Sequence, residues 1–222
     1  MIHITGDTHG EQARIPLIEA QAPVRPGDIL IVCGDFGYLF RNDEAEHRFL
    51  DQLAARDYTI CFVDGNHENF DALEALPEED WMGGRVHRLR PNILHLMRGY
   101  VFTLEGKTFF TMGGAYSVDR HTRTPGRSWW PQELPRGEEY RRAAAALQAR
   151  NMQVDYILTH TMPAEIIRRM GCFPDPHDAE LTGFLEWVMY ETRYTGWFCG
   201  HWHQDRPLPG NIRLLWFDVC SL

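Results

Sequence analysis

Short apolar runs alternate with polar segments along this chain, and five of the runs end directly before a side chain that can bind a metal ion. The runs are rich in Ile, Val, Phe and Cys, which favours buried strands. They are Ile2–Thr5, Ile29–Cys33, Thr59–Val63, Val154–Leu158 and Thr195–Cys199. Helical patterns separate the first three, over Glu11–Ala20 and, more regularly, over Asp43–Arg56. Strands that alternate with helices predict parallel βαβ units in this part of the chain.

The middle of the chain has the pattern of hairpins rather than of helical crossovers. Short strands are predicted there at Val86–Leu89, Ile93–Leu96, Tyr100–Leu104 and Thr108–Met112. The later predicted elements are helices at Glu138–Asn151, Ala164–Met170 and Leu181–Tyr190, and a strand at Ile212–Val219. A short helix is also predicted at Phe70–Leu76, where Pro77 ends it. Since no repeat or linker interrupts the pattern, the sequence predicts a single α/β domain over residues 1–222.

Residues 113–137 form a polar stretch, rich in Arg, Trp and Pro, that lacks the period of either a helix or a strand. A loop of this length inside a compact chain is more often functional than idle. We therefore predict that this segment faces the substrate.

Composition limits the partners of the chain. Its 222 residues, 44% of them hydrophobic, are enough to bury the core of one domain. No apolar run approaches the roughly 20 residues that span a bilayer, and no targeting stretch opens the chain, so a cytoplasmic location is expected.

The formal net charge of −9 argues against an extended nucleic-acid surface and against an anionic membrane as partner. The five cysteines include no CxxC pair, which favours reduced thiols over disulfides or a zinc site.

Polar side chains follow the five apolar runs at the points where the strands are predicted to end. The segments are Gly6-Asp7-Thr8-His9-Gly10, Gly34-Asp35, Gly65-Asn66-His67-Glu68, Thr159-His160 and Gly200-His201-Trp202-His203. Taken singly, each has a simpler interpretation, because an Asp or a His near a strand end is usually a turn former or a solvated side chain. Together they supply carboxylate, amide and imidazole ligands for two metal ions, as a dinuclear hydrolytic centre requires.

The order and identity of these segments resemble the calcineurin-like metallophosphoesterase family, over a span from Asp7 to His203. The resemblance implies a four-layer α-β-β-α sandwich, in which two mixed sheets are flanked by helices and a metal site lies at the C-terminal ends of the strands. It also implies two divalent ions, which are expected to be manganese, iron or zinc, with manganese as the first choice. One ion is expected to take Asp7, His9, Asp35 and His203, and the other Asp35, Asn66, His160 and His201, so that Asp35 is shared.

His67 lies beside Asn66 but is not assigned to a metal ion. In the family that this chain resembles, the matching histidine faces the scissile phosphate, where it stabilises the transition state or protonates the leaving oxygen. An alternative role for His67 is a hydrogen bond that orients a metal ligand. The mechanism implied by the resemblance is direct attack of a metal-bound hydroxide on phosphorus, without a covalent phosphoenzyme. Glu68 is expected to support the ligands rather than to bind an ion.

The segment after Asp35 departs from the Ser/Thr protein phosphatase branch of the family. That branch has an Asp that supports the catalytic histidine and an Arg that binds phosphate, whereas this chain has Tyr38 and Leu39 there. A compact, bacterial-type phosphoesterase fits better, and its substrate is expected to be a phosphomonoester or phosphodiester of small-molecule or nucleotide-like character. The negative net charge does not exclude such a substrate, because two divalent cations would make the site locally positive.

Arg120, Arg123 and Arg127, in the polar loop, are candidates to bind the substrate phosphate in place of the missing Arg, and Arg120 and Arg123 are the favoured two. Trp129 or Trp130 is a candidate to stack on a ring of the substrate. The alternative is that the arginines pair with nearby acids such as Glu133, and that the tryptophans merely pack the loop.

Two classes of function are consistent with this pattern. The first is an enzyme, a dinuclear metal-dependent hydrolase acting on ester bonds. The second is a catalytically silent scaffold or protein-binding module on the same fold. A degenerate scaffold is expected to have lost metal ligands, whereas every ligand position is filled here, so the sequence favours the enzyme.

Overall fold

The computed structural model describes the whole chain, Met1–Leu222, and contains thirteen strands and six α-helices. The strands are β1 (Ile2–Thr5), β2 (Ile29–Cys33), β3 (Thr59–Val63), β4 (Glu78–Trp81), β5 (Gly84–Arg90), β6 (Ile93–Leu96), β7 (Val101–Leu104), β8 (Lys107–Met112), β9 (Tyr156–Thr159), β10 (Gly196–Cys199), β11 (Arg206–Leu208), β12 (Ile212–Leu214) and β13 (Cys220–Ser221). The helices are α1 (Arg14–Gln21), α2 (Glu44–Ala54), α3 (Phe70–Glu74), α4 (Gly137–Gln148), α5 (Ala164–Arg169) and α6 (Ala179–Glu191). None of them is both long and apolar enough to cross a membrane.

The strands form two sheets, each with a parallel centre and antiparallel edges. The seven-stranded sheet has the order β13-β1-β2-β3-β6-β5-β4, and the six-stranded sheet has the order β11-β12-β10-β9-β8-β7. In the first sheet β1, β2 and β3 are parallel neighbours, and in the second β9 pairs in parallel with β10. The carboxyl ends of these five strands carry the five polar segments, because each segment directly follows its strand.

Alternation along the strands divides the apolar side chains among three cores. In β2, Ile31 and Cys33 belong to a cluster that joins side chains of both sheets, whereas Leu30 and Val32 pack in a cluster with α1 and α2. Successive strand side chains point to opposite faces, so a strand that is buried on both faces reads as a continuous apolar run. Ile29–Cys33 is such a run, with all five residues buried.

The outer face of the second sheet is covered in the same way. Ile157 of β9 and Trp197 of β10 pack in a third cluster with Leu147 of α4 and Leu185 of α6. Two sheets with one core between them and one core under the helices on each side make four layers. The predicted α-β-β-α sandwich of two mixed sheets is therefore confirmed.

The prediction of one strand over Ile212–Val219 was wrong, because the chain leaves the sheet after Leu214. The carboxylate of Asp205 accepts the backbone N–H groups of Trp216, Phe217 and Asp218, at 2.7, 3.0 and 2.9 Å. Those donors are then not free to join a ladder of strand hydrogen bonds, so the segment becomes a turn in front of β13.

The apolar pattern of the sequence did not predict two short edge strands, β4 and β11. β4 is largely acidic and β11 contains Pro207, and both features are typical of edge strands rather than of central ones. Both pair antiparallel with a neighbour at the end of a sheet, so neither changes where the polar segments lie.

Candidate metal centre

Four of the predicted metal ligands lie on left-handed backbone. The φ angles are +48° at His9, +49° at Asp35, +71° at His201 and +47° at His203. This region is sparsely populated by residues other than glycine, and it persists where the surrounding structure enforces it. Asp35 and His201 lie two residues after the ends of β2 and β10, and His9 and His203 lie four residues after the ends of β1 and β10.

Asp7, His9 and His203 converge on one point. Oδ2 of Asp7 is 3.0 Å from Nε2 of His203 and 3.8 Å from Nε2 of His9. The two Nε2 atoms are themselves 2.9 Å apart. Three atoms that carry lone pairs approach one another this closely only when a proton or a cation lies among them.

Asp35 and His160 form a second point of convergence next to the first. Nε2 of His160 is 3.3 Å from Oδ1 of Asp35 and 3.1 Å from Oδ1 of Asn66. Oδ2 of Asp35 lies 3.8 Å from Nδ1 of His9, which belongs to the first group. Asp35 therefore lies between the two groups, in the position that the family resemblance gives to a shared ligand.

The carboxylates and imidazoles form three overlapping groups, within each of which the ligand atoms lie within 4.8 Å of one another. The groups are Asp7-His9-His203, His9-Asp35-His67 and Asp7-Asp35-His160. His201 belongs to none of them, although its ring lies 4.9 Å from the ring of His160. Most of the predicted ligands thus belong to these groups. The His201 imidazole does not, whereas His67, which was not predicted as a ligand, does.

Charge explains why these groups suit a cation. Asp7 and Asp35 are almost completely buried, with 1% and 2% of their surface exposed. Burial alone would raise the pKa of Asp35 and lower that of His160, but the attraction between the two outweighs burial, so the pKa of Asp35 is lowered and that of His160 raised. A protonated His160 is thus the countercharge of the buried carboxylates when no metal ion is present. A divalent cation can replace that proton and leave the imidazole free as a ligand.

Hydrogen bonds outside the cluster fix the orientation of the ligands. Nδ1 of His160 donates to the carbonyl of Cys33 at 2.9 Å, because a carbonyl can only accept, and this leaves Nε2 to face Asp35 and Asn66. The backbone N–H groups of His201 and His67 donate to Asp7 and Asp35, respectively, at 3.0 and 2.7 Å.

Glu68 is a supporting residue, as its position in the sequence predicted. It is 2% exposed, and its carboxylate accepts the backbone N–H groups of Phe36 at 2.7 Å and Gly37 at 3.3 Å. It therefore holds the loop that follows Asp35 and does not face the cluster.

Glycine is required where the strand ends approach the carboxylates. A Cβ atom at Gly200 would lie 2.1 Å from Oδ1 of Asp7, and one at Gly65 would lie 2.1 Å from Oδ1 of Asp35. At Gly200 and Gly65, the backbone itself therefore lies against the buried carboxylates. With its hard oxygen and imidazole donors, this cradle fits a divalent ion such as Mn²⁺, Fe²⁺ or Zn²⁺.

His67 is in contact with the polar loop. The guanidinium of Arg123 donates to Nε2 of His67 at 2.6 Å, and the same guanidinium is held by Asp119 at 2.9 Å. Burial lowers the pKa of His67, and the charge of Arg123 lowers it further, although Asp35 acts in the opposite direction. The structure therefore brings Arg123, of the two predicted phosphate ligands, to the candidate site.

Arg120 is engaged away from the cluster. It forms an ion pair with the fully buried Glu133, and its guanidinium lies between the rings of Tyr116 and Trp129, 4.3 and 4.0 Å from their centres. These contacts match the alternative interpretation of Arg120, in which it pairs with an acid and packs the loop. Trp130 is 3% exposed and donates its indole N–H to Asp71, so it offers no free face to a substrate ring.

Two features of the site had no signal in the sequence. Ser117 accepts a hydrogen bond from the Asn66 amide at 3.1 Å, although a lone serine in a loop predicts nothing by itself. A cavity of about 390 Å³ opens beside His9 and His67, with Phe40 and Arg41 in its wall. The sequence pointed to residues 113–137 as the substrate-facing segment, whereas the walls of this cavity come from residues 37–49 and the loop after β1.

Comparisons with known proteins give one family. A family model described as calcineurin-like phosphoesterase matches residues 1–205. Among solved structures, the sulfate thiohydrolase SoxB of Thermus thermophilus, in complex with glycerol, is similar to 96% of this chain with 15% identity and a TM-score of 0.39. The chain spans only 38% of that protein. No curated protein matches the chain.

Substitution of Gly200 tests whether the close approach of backbone to Asp7 matters for ion binding. In Gly200→Ala, the new methyl group must displace the Asp7 carboxylate, so we expect the affinity for Mn²⁺ or Zn²⁺ to fall by at least about tenfold in a calorimetric titration. Gly183→Ala is the matched control, because a Cβ at this position in α6 meets nothing within 4 Å. If the two variants bind the ion with equal affinity, the close approach of Gly200 to Asp7 does not matter for ion binding.

Proposed function

Because the chain belongs to the calcineurin-like phosphoesterase family, we propose that it is a metal-dependent phosphoesterase, which hydrolyses a phosphomonoester or phosphodiester at a centre of two divalent cations. The observation that carries this proposal is the convergence of buried carboxylates and imidazoles into overlapping groups with ligand atoms within 4.8 Å of one another. We assign Asp7, His9, Asp35 and His203 to one ion, and Asp35, Asn66, His160 and His201 to the other. Manganese, iron and zinc all suit these donors, and manganese is our first choice.

The two cations would lower the pKa of a water molecule and neutralise the phosphoryl oxygens. The chain itself contributes His67 and Arg123 beside them. The guanidinium of Arg123 forms a fork that matches phosphoryl oxygens, so we propose that it leaves His67 for the substrate phosphate. Nε2 of His67 is then free to carry a proton to the leaving oxygen.

Arg123, rather than Arg120, is the phosphate ligand in this proposal. The guanidinium of Arg120 is already paired with the buried Glu133 and lies against two aromatic rings, whereas that of Arg123 contacts His67. Tyr38 and Leu39, which replace the Asp and Arg of the protein phosphatases, are 2% and 6% exposed, and neither carries a cationic group that could bind phosphate. The phosphate contact therefore comes from the loop instead of from the segment after Asp35.

The cavity beside His67 supports the proposal that the substrate carries a small organic leaving group. Its volume of about 390 Å³ is in the range of small-molecule sites, and Phe40 and Phe49 give it aromatic walls. Of the two carboxylates in the wall, Asp43 already accepts backbone N–H groups at the start of α2, and Glu46 accepts those of Phe40 and Asn42 in the loop before it. Arg41 has no ion pair, so it is free to meet a second negative group on the substrate.

Hydrolysis of p-nitrophenyl phosphate and of its bis-ester, with added Mn²⁺, Fe²⁺ or Zn²⁺, tests the function and separates a monoesterase from a diesterase. Asp35→Ala is expected to abolish turnover, because it removes the carboxylate shared by both ions, and His201→Ala is expected to reduce it strongly. Full activity of Asp35→Ala would contradict the dinuclear centre. If the wild-type chain binds two ions and hydrolyses no phosphoester, the silent-scaffold alternative is supported instead.

The role of His67 is tested by changing the leaving group. A proton donor matters most for a poor leaving group, so His67→Gln is expected to lower kcat about 10²- to 10⁴-fold for an alkyl phosphate. The loss for p-nitrophenyl phosphate should be much smaller, because nitrophenolate leaves without a proton. Equal losses for both substrates would show that His67 acts in another way, such as by orienting a ligand.

Arg123 is tested against a second arginine of the same loop. In Arg123→Ala, loss of a charged hydrogen bond to the phosphate, worth about 1.5–3 kcal/mol, is expected to lower kcat/KM by at least about tenfold with both ions retained. Arg127→Ala is the control, since Arg127 is exposed and makes no ion pair. If the two variants have indistinguishable kinetics, Arg123 does not bind the substrate phosphate.

A further inference from the structure

A chain of buried hydrogen bonds leads from the metal cluster into the polar loop. The Asn66 amide donates to the hydroxyl of Ser117 at 3.1 Å, and that hydroxyl donates to Oε2 of Glu133 at 2.8 Å. The three residues are 5%, 1% and 0% exposed, so water does not compete for these contacts. Glu133 lies at the far end of the loop, in a short 3₁₀ turn at Pro131–Glu133.

The direction of each hydrogen bond follows from Glu133. Its carboxylate receives the backbone N–H of Ser117 at 3.0 Å and the guanidinium of Arg120, in addition to the Ser117 hydroxyl. A carboxylate surrounded by donors can only accept. Ser117 must therefore give its single hydroxyl hydrogen to Glu133, and its oxygen can only accept from any other neighbour.

This constraint selects one of the two orientations of the Asn66 side chain. Because the Ser117 oxygen must accept, the amide nitrogen of Asn66 faces Ser117, and the amide oxygen faces Nε2 of His160 at 3.1 Å. An amide turned by 180° would direct N–H groups at a cation and an oxygen at the oxygen of Ser117. Both contacts would be repulsive in a buried site.

The same hydroxyl also receives the guanidinium of Arg123 at 3.3 Å. Its one hydrogen and both lone pairs are thus used, by Glu133, Asn66 and Arg123. The Ser117 hydroxyl oxygen thus accepts hydrogen bonds both from Asn66, in the metal cluster, and from Arg123, the proposed phosphate ligand.

We propose that Ser117, held by Glu133, is a positioning residue, which orients the Asn66 amide oxygen toward the ion site that Asn66 serves and so sets the affinity of that site. This inference rests on the two-ion centre proposed above, and it adds a part of the polar loop to the machinery that binds the ions. Partners of this kind, which orient a ligand without touching the ion, typically contribute about 10- to 100-fold to metal affinity.

Titration of the ion-free chain with Mn²⁺ or Zn²⁺, without substrate, tests the proposal. Ser117→Ala is expected to weaken one of the two ion sites about 10- to 100-fold and to leave the other unchanged. The control is Ser128→Ala, because the Ser128 hydroxyl bonds only to backbone atoms of Thr124, at 2.9 and 3.4 Å. If Ser117→Ala binds both ions like the wild type, or weakens both sites equally, the proposal is overturned.

A double-mutant cycle separates orientation from general support of the fold. Aspartate has two equivalent oxygens and no wrong orientation, so in the Asn66→Asp background Ser117→Ala should cost much less affinity than it does in the wild type. The same loss in both backgrounds would overturn the proposal, since it would mean that Ser117 only stabilises the loop. Should Ser117→Ala fail to fold, Glu133→Gln replaces it, because a glutamine amide can donate to Ser117 and reverse the chain of hydrogen bonds.

The result is separable from that of the hydrolysis assay. A wild-type chain that binds two ions but hydrolyses no ester contradicts the proposed function and leaves the effect of Ser117 measurable. A wild-type chain without a second ion site overturns both.

Discussion

Two carboxylates buried side by side are the constraint on which the rest of the structure depends. Asp7 and Asp35 have almost no contact with water, and like charges in such a place require a cation. In the ion-free chain, a proton on His160 supplies that charge. The imidazoles around the carboxylates, the backbone N–H groups directed at them and the glycines that leave room for them all serve the same electrostatic need.

The backbone around the buried carboxylates adopts left-handed dihedral angles, which are unfavourable for residues other than glycine. The left-handed residues at His9, Asp35, His201 and His203 each follow a largely buried strand of one of the two sheets. Six other non-glycine residues with positive φ lie outside the candidate centre. At the centre itself, the sheets hold the strand ends in place, which lets the unfavourable dihedrals persist there. A rigid scaffold with strained loop residues at one edge is a general way of holding a polar site.

Local patterns in the sequence predicted most of the strands and the polar segments that follow them, and the family resemblance predicted the four layers. A run such as Ile29–Cys33 is apolar on both faces, and the polar residue after it necessarily lies at the strand end. Contacts between distant segments have no such signal. Arg123 and Arg120 are equivalent in the sequence, yet one contacts His67 and the other Glu133. Likewise, the end of β12 depends on Asp205, whose carboxylate occupies the N–H groups that would have extended the strand.

The candidate ligands are divided between the two sheets. Asp7, Asp35 and Asn66 follow strands of the seven-stranded sheet, whereas His160 and His201 follow strands of the six-stranded sheet. An ion held by both sets therefore cross-links the two halves of the sandwich at one edge, as a disulfide would, but reversibly. Loading the centre should make the two halves unfold together and at a higher temperature, since the ions bind only the folded chain. Chelation would remove this cross-link, so the proposed ion centre would also help to hold the two sheets together at this edge.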